Sequence, residues 1–262
     1  MKKILLTTAI VAALSANAFA IEAGKMYLKG DAGYQGSNYK NKILGDEGSK
    51  RLKGFSGDIG FGYALSDDIR TDMTINFSRG KGKQKTDKLG AEIKYTSAGT
   101  NSTATTLEIS KAGAVTATEK NVGVLFNGYY DFHNSSAFTP YLVAGLGVNR
   151  GKLDLKFAGK ESNATDAKDA SFTISSKNKT TFGYQIGLGA LYEVSKDVLL
   201  DVNYRAMGHT ANYKFKFKDG EKLEGVKSGD RTTFDKDNAF KPSGSDKNVI
   251  QHTVTAGVIF AF

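Results

Sequence analysis

Hydrophobic and polar residues alternate with a period of two along residues 249–262, which read VIQHTVTAGVIFAF. This period indicates a β-strand whose two faces meet different surroundings. An apolar outer face with small or polar residues inside, over about 10 residues, is typical of a lipid-facing barrel strand, although an edge strand of a soluble sheet is an alternative. The predicted outer face carries Val254, Ala256, Val258, Phe260 and Phe262, and the inner face carries Gln251, Thr253, Thr255, Gly257, Ile259 and Ala261.

Seven earlier segments alternate in the same way, and we predict a strand in each of them. They lie near residues 25–34, 54–64, 69–79, 120–131, 140–150, 181–193 and 198–207. Examples of the pattern are Ile69, Met73 and Ile75 facing outward, with Arg70 and Asp72 facing inward. An even number of such strands predicts that both termini lie on the same side of a barrel.

The connections between the predicted strands alternate between short and long. Short turns are expected near 65–68, 132–139 and 195–197, and long loops at 35–53, 80–119, 149–180 and 208–248, with residues 105–109 as an additional strand inside the second loop. Short turns on one side and long loops on the other are typical of outer-membrane barrels. We therefore predict an all-β protein, an eight-stranded antiparallel transmembrane β-barrel with short periplasmic turns and four long extracellular loops.

The N-terminus predicts export. Lys2 and Lys3 precede an apolar run at 4–14, and Ala18-Phe19-Ala20 follows as a cleavage site with small residues. This is the pattern of a secretory signal peptide, 1–20, cleaved to leave one barrel domain, 21–262. The apolar run is too short for a spanning helix, and the alternative is an uncleaved anchor.

Composition agrees with an exported barrel and adds a charge. The 262 residues include no cysteine, 30 glycines and 2 prolines, so stability cannot come from disulfides. The formal net charge of +9 favours anionic surfaces such as lipopolysaccharide phosphates, host glycans or acidic proteins. Nucleic acid is not an expected partner for an exported barrel.

Charged residues recur on the predicted inner faces. An eight-stranded barrel has room only for its own side chains, so these charges must pair or be hydrated. We predict a salt-bridge and water network in the lumen, and the alternative is a narrow gated ion path. The residues are Lys29, Asp31, Asp58, Arg70, Asp72, Asp131, Glu193, Asp201 and Arg205.

Catalysis finds little support in the sequence. His133 begins an H-x-S string in a predicted periplasmic turn, which is the wrong side for outer-leaflet lipid. His209 and His252 lie near the outer ends of neighbouring strands, where each is expected to be an interfacial side chain. We predict no enzyme activity, no cofactor and no metal site, because cysteine is absent and the histidines are scattered.

The predicted loops are rich in cations. They give either solubility and attraction to lipopolysaccharide, or a surface that binds an acidic ligand. The candidate ligand-binding residues are Lys40, Lys42, Lys50, Arg51, Lys53, Lys81, Lys83, Lys85, Lys214, Lys216 and Lys218.

Four stretches carry a resemblance to a known family: NGYYDF at 127–132, FTPYLVAGLGV at 138–148, FGYQIGLGALYEV at 182–194 and LDVNYRAMG at 200–208. They resemble small eight-stranded outer-membrane proteins of the OmpA-transmembrane and opacity type. The length and basic loops look most like rickettsial surface adhesins. The resemblance implies a surface adhesin that binds a host serum or matrix protein such as vitronectin, and barrel assembly machinery that reads Phe262. The alternatives are a structural or small-pore protein and an enzyme of outer-leaflet lipid.

Overall fold

The computed structural model describes residues 21–39, 50–86, 92–96, 104–108, 113–134, 136–161, 169–176, 179–214 and 243–262. Within these ranges no helix is long and apolar enough to cross a bilayer. The strands are β1 (Met26–Tyr39), β2 (Lys50–Ala64), β3 (Ile69–Thr86), β4 (Glu92–Thr96), β5 (Ala104–Glu108), β6 (Gly113–Asp131), β7 (Phe138–Glu161), β8 (Asp169–Ser175), β9 (Lys179–Ser195), β10 (Val198–Lys214) and β11 (Ser243–Ala261).

Eight of these strands close into a barrel in the order β1-β2-β3-β6-β7-β9-β10-β11, and β11 pairs with β1. Every neighbouring pair is antiparallel. Following the register once around the barrel returns to β1 about ten residues from the starting point, so the strands are tilted. The predicted all-β, eight-stranded antiparallel barrel is therefore confirmed.

The two faces of the wall differ as the alternation predicts. On β11, Phe260 is 54% exposed, whereas the adjacent Ile259 is fully buried. The same contrast separates Met73 from Asp72 on β3. Across all eight barrel strands, large apolar side chains form an outward band that is placed to contact lipid. The closed barrel also suits a bilayer because it leaves no backbone edge unpaired.

The short connections lie at one end of the barrel, together with the first and last described residues of the chain. This end is hereafter the turn end. The tight turn after β2 is held by the Leu65 amide, which donates to the Ile69 carbonyl at 2.8 Å. Beside the turn between β9 and β10, Lys25 Nζ lies 2.7 Å from the Asp197 carboxylate. This hydrogen bond raises the pKa of Lys25 and lowers the pKa of Asp197.

The opposite end of the barrel corrects the predicted loop boundaries. All eight barrel strands continue into ranges that were assigned to loops. These ranges are 35–39, 50–53, 80–86, 113–119, 149–161, 179–180, 208–214 and 243–248. Strand pairing continues in register up to Thr86 opposite Gly113. β5 confirms the additional strand predicted near 105–109, whereas β4, which pairs with β5, and β8, which pairs with β7, were not predicted.

Above the apolar band the polarity of the wall is reversed. On β7, Leu153 and Leu155 face inward and are buried, while the residues between and beside them are Lys152, Asp154 and Lys156. Buried Leu52, Val115, Ala117 and Val249 continue this interior on β2, β6 and β11. An apolar inside and a charged outside suit water rather than lipid. The extensions of β3 (79–86), β6 (113–121) and β7 (150–161), together with β8, are hereafter the platform.

Candidate functional sites in the lumen and on the outer wall

Two cations organise the centre of the lumen. The Arg205 guanidinium donates to Asp31 at 2.9 Å and also to Asp58. Lys29 Nζ lies 3.4 Å from Asp31 and 3.8 Å from Asp201. All of these side chains are buried, and the strands that carry them come from opposite ends of the chain. The barrel closure therefore brings together charges that the sequence could place only on a common face.

A separate ion pair lies nearer the turn end. Arg70 Nε donates to the two carboxylate oxygens of Asp131 at 2.7 and 3.1 Å. The guanidinium carbon lies 4.0 Å from the ring centroid of Tyr129 and 4.8 Å from that of Tyr141. Arg70 is thus held by one carboxylate and by aromatic faces, a combination that suits a desolvated guanidinium.

Neutral donors complete the network and were not among the predicted site residues. Among the described residues, the two ion-pair groups in the lumen hold three cations, Lys29, Arg70 and Arg205, and five carboxylates, those of Asp31, Asp58, Asp72, Asp131 and Asp201. A sixth buried carboxylate, that of Glu119, lies farther from the turn end. Hydrogen bonds stabilise the excess carboxylates: the Tyr129 hydroxyl donates to Asp72 at 2.8 Å, and the Tyr141 hydroxyl donates to Asp201 at 2.7 Å. Inward-facing tyrosines were the signal in the sequence that could have identified these donors.

The charged layer lies between two apolar layers. At the turn end, buried Leu191, Leu199 and Ile259 belong to one apolar cluster with the rings of Tyr129 and Tyr141. Toward the other end, buried Asn121 and Glu119 precede the apolar interior that Leu52, Leu153 and Leu155 form. The lumen cavity beside Arg205 has a volume of about 10 Å³, roughly the space of one water. In the part of the barrel that the structure describes, the lumen is therefore filled by side chains.

One predicted member lies away from this layer. Glu193 is half-buried at the turn end, where it lines a small cavity with Lys25 and Lys196. The register of β9 against β10 shifts between Val198 and Leu199, so the alternation that predicted Glu193 is interrupted close to its position. Its placement in the lumen charge network was wrong.

The histidines do not form a shared site. His209 is buried on the inward face with Nε2 3.6 Å from Glu119, so its predicted interfacial position was wrong. The His252 ring instead lies on the outer wall, with Nδ1 2.6 Å from the Tyr204 hydroxyl. His133 is exposed in the short connection after β6, 2.8 Å from Asp68. Nucleophilic catalysis needs a base within reach of a nucleophile and an orienting group, and these positions do not converge.

The structure places part of the predicted basic set. At the end of the barrel opposite the turn end, the outer wall exposes the side chains of Arg51, Lys53, Lys81 and Lys83. The backbones of Lys50, Lys85 and Lys214 belong to β2, β3 and β10. Lys40, Lys42, Lys216 and Lys218 lie outside the described residues. Register brings Lys53 directly opposite Lys81, so the predicted cations from two loops meet on one continuous wall.

Asp154 is a carboxylate that lies among the outward-facing cations of the platform. It lies 3.2 Å from Lys152 and 3.6 Å from Lys120, and it accepts a hydrogen bond from Ser175 at 2.7 Å. Partial burial opposes ionisation, but the Ser175 hydrogen bond and the two ammonium groups prevail and hold the pKa of Asp154 below its ordinary value. Among the described residues, no three His, Cys, Asp or Glu side chains are placed so that they could hold a metal ion.

Comparisons with known proteins agree with this architecture. The family model described as outer membrane protein beta-barrel domain matches residues 6–258. A Rickettsia conorii protein named as a putative adhesin is 31% identical over 201 residues, which cover 76% of this chain and 69% of the relative. A Rickettsia bellii protein with the same description is 29% identical over 210 residues, covering 78% and 82%.

A solved structure is also similar, at lower sequence identity. The Neisserial surface protein A is 20% identical, with a TM-score of 0.45, and the match covers 90% of this chain and 97% of that one. The predicted resemblance to small outer-membrane barrels and to rickettsial adhesins is confirmed by the family match and by the two Rickettsia relatives. This chain belongs to the family of outer-membrane proteins with a β-barrel domain.

Proposed function

We propose that this outer-membrane protein is an adhesin, and that its platform binds an acidic host serum or matrix protein, vitronectin being the first candidate. The observation that carries the proposal is the reversed polarity of the platform. Its apolar residues face inward and its cations face outward, which is the arrangement of a protein surface in water. The relatives named as adhesins support the same function.

The length of the strands supports a projecting surface. A transmembrane strand needs about 9–11 residues, whereas β7 has 24. The remaining residues, at about 3.3 Å each and a tilt of about 40°, would rise about 35 Å above the apolar band. A binding surface at that height would stand clear of the lipid and be held by a rigid sheet.

Charge supports an acidic ligand. Lys83, Lys152 and Lys156 lie on the outer face of the platform, where Asp154 offsets part of their charge. Such a field steers an acidic partner toward the surface and weakens as salt screens it. Specificity then depends on the shape of the platform and its connections, which positive charge alone does not provide.

A deletion designed from the register tests the proposal. Lys81 lies opposite Thr118, so Gly82–Ala117 can be replaced by a two-residue Asn-Gly turn that keeps the barrel register. The full chain and this variant are displayed on cells that lack the protein. Binding of vitronectin and of a panel of serum and matrix proteins is measured at physiological salt, with heat-modifiable gel migration to verify folding.

We expect saturable binding of one acidic ligand by the full chain and loss of that binding in the deletion variant. Lys83→Gln with Lys156→Gln should weaken binding, whereas the matched Lys→Arg pair should retain it. Equal binding by the full chain and the folded deletion variant would contradict the role of the platform. Failure of the folded full chain to bind any member of the panel would contradict an adhesin for this class of ligand.

Orientation and export belong to the same proposal. We propose that the turn end faces the periplasm and the platform faces the cell exterior, after cleavage of residues 1–20. Exposed Phe262 lies beside β1, where it exchanges backbone hydrogen bonds with Met26 at 2.9 and 3.1 Å. Recognition of Phe262 by barrel assembly machinery stays a prediction. The filled lumen favours a structural role for its charges over a pore.

A further inference from the structure

Four cations form a compact group on the outer wall of adjacent strands. Lys53 on β2 lies directly opposite Lys81 on β3, and Arg79 on β3 lies directly opposite Lys120 on β6. All four side chains are exposed and share the face of the lipid-facing residues. These residues are hereafter the wall cations. Like charges directly opposite each other destabilise a sheet, so this arrangement calls for a counter-anion.

The protein itself supplies little compensation. Lys120 lies 3.6 Å from Asp154, a carboxylate that it shares with Lys152. Across the described ranges of the chain, Lys53, Arg79 and Lys81 form no salt bridge with a carboxylate. Three cations on two strands therefore present charge without an internal partner.

Their height on the barrel indicates where the anion lies. The last large apolar residues of the outward band on β2, β3 and β6 are Phe55, Phe77 and Val122, all exposed. The first wall cation on each strand is two residues further, about 7 Å along the strand and about 5 Å higher at a tilt of about 40°. At that depth the hydrocarbon of a bilayer gives way to its headgroups.

We propose that the wall cations bind the phosphate groups of a phosphorylated glycolipid, of the lipid A type, in the surrounding membrane leaflet. The Lys53–Lys81 pair and the Arg79–Lys120 pair each offer charge-assisted donors to one phosphate, while the acyl chains lie against the apolar band below. This assignment removes Lys53 and Lys81 from the candidate host-ligand surface. It does not depend on the adhesin function.

The test is a titration of the folded full chain with diphosphoryl lipid A, followed by native mass spectrometry in detergent. The wall-cation variant replaces all four residues by glutamine: Lys53→Gln, Arg79→Gln, Lys81→Gln and Lys120→Gln. A control variant removes the same charge from other exposed positions: Arg51→Gln, Lys83→Gln, Lys179→Gln and Lys196→Gln. We expect lipid A to bind the wall-cation variant at least tenfold more weakly, and the control variant within about twofold of the original chain.

Two further arms separate the lipid from its phosphate and from a structural effect. Inorganic pyrophosphate at the same concentration should not displace lipid A, and displacement would overturn the assignment to a lipid. Lys81→Gln alone should raise the thermal transition in phosphatidylcholine vesicles, where repulsion is unrelieved, and lower it in vesicles that contain lipid A. Equal lipid A binding by the original chain and the wall-cation variant, or equal shifts of Lys81→Gln in both vesicles, would refute the proposal.

Discussion

Replacement of Arg70 by leucine tests the energetics of the filled lumen most sharply. Arg70 is 1% exposed and its Nε lies 2.7 Å from Asp131, so the change leaves a buried carboxylate without its cation. Breaking one side of a buried ion pair costs about 3–5 kcal/mol. The two nearest aromatic faces, those of Tyr129 and Tyr141, add roughly 1 kcal/mol between them. We expect Arg70→Leu to lower the free energy of unfolding by about 4 kcal/mol or more.

Urea unfolding in lipid vesicles measures this difference. Tyrosine fluorescence and circular dichroism follow the transition, because the chain has 12 tyrosines and no tryptophan. Adding Asp131→Leu to Arg70→Leu should recover about 2 kcal/mol, since the stranded carboxylate is then removed. Exposed Lys196→Leu at the turn end serves as the control, with an expected loss within about 0.5 kcal/mol. A loss below about 1 kcal/mol for Arg70→Leu, or strict additivity in the double variant, would refute the reasoning.

Three other predictions follow from the same geometry. A Cβ at Gly189 would overlap the Tyr141 ring, whereas Gly30 has open space around it. Gly189→Ala should therefore cost about 1–3 kcal/mol, and Gly30→Ala much less, in the same urea assay. The pKa of Asp154 is lower in the folded protein than its ordinary value of 3.8, so its bond to Ser175 contributes stability above that value and loses it as pH falls further. The protection of β8 amides, measured as the exchange rate relative to the intrinsic rate at each pH, should therefore fall below about pH 4 and stay constant between pH 5 and 7. The original chain should show no stepwise conductance in planar bilayers, because its lumen is filled; stable open channels would contradict that packing.

The strand faces could be predicted from sequence because period-two alternation is local. Phe260 and Ile259 are neighbours in the chain, and their opposite exposure needs only the strand conformation and two different solvents. Pairing across the lumen depends instead on the register of every strand in the barrel. Arg205 reaches Asp58, 147 residues away, only because the closed sheet is staggered around its axis. Local patterns therefore identified most of the buried charges but none of their partners.

The platform was missed for a different reason. Its sequence is rich in Lys, Gly and Thr, which is typical of loops, yet Leu153 and Leu155 alternate with Lys152, Asp154 and Lys156. The period is that of a strand, with apolar residues inside instead of outside. A search for outward apolar faces, the rule for the membrane band, passes over a strand that continues into water. Where the solvent changes along one strand, the alternation keeps its period and reverses its polarity.

The position of the platform relative to the membrane can be measured directly by cysteine labelling, because the chain contains no cysteine of its own. Single variants Lys83→Cys on the platform, Lys196→Cys at the turn end and Val124→Cys in the apolar band are each produced in cells. Intact cells are treated with a membrane-impermeant maleimide, and labelling is compared with that of the purified, unfolded variants. We predict strong labelling at position 83 alone. Labelling at position 196 but not at 83 would place the platform on the inner side and contradict the proposed surface function.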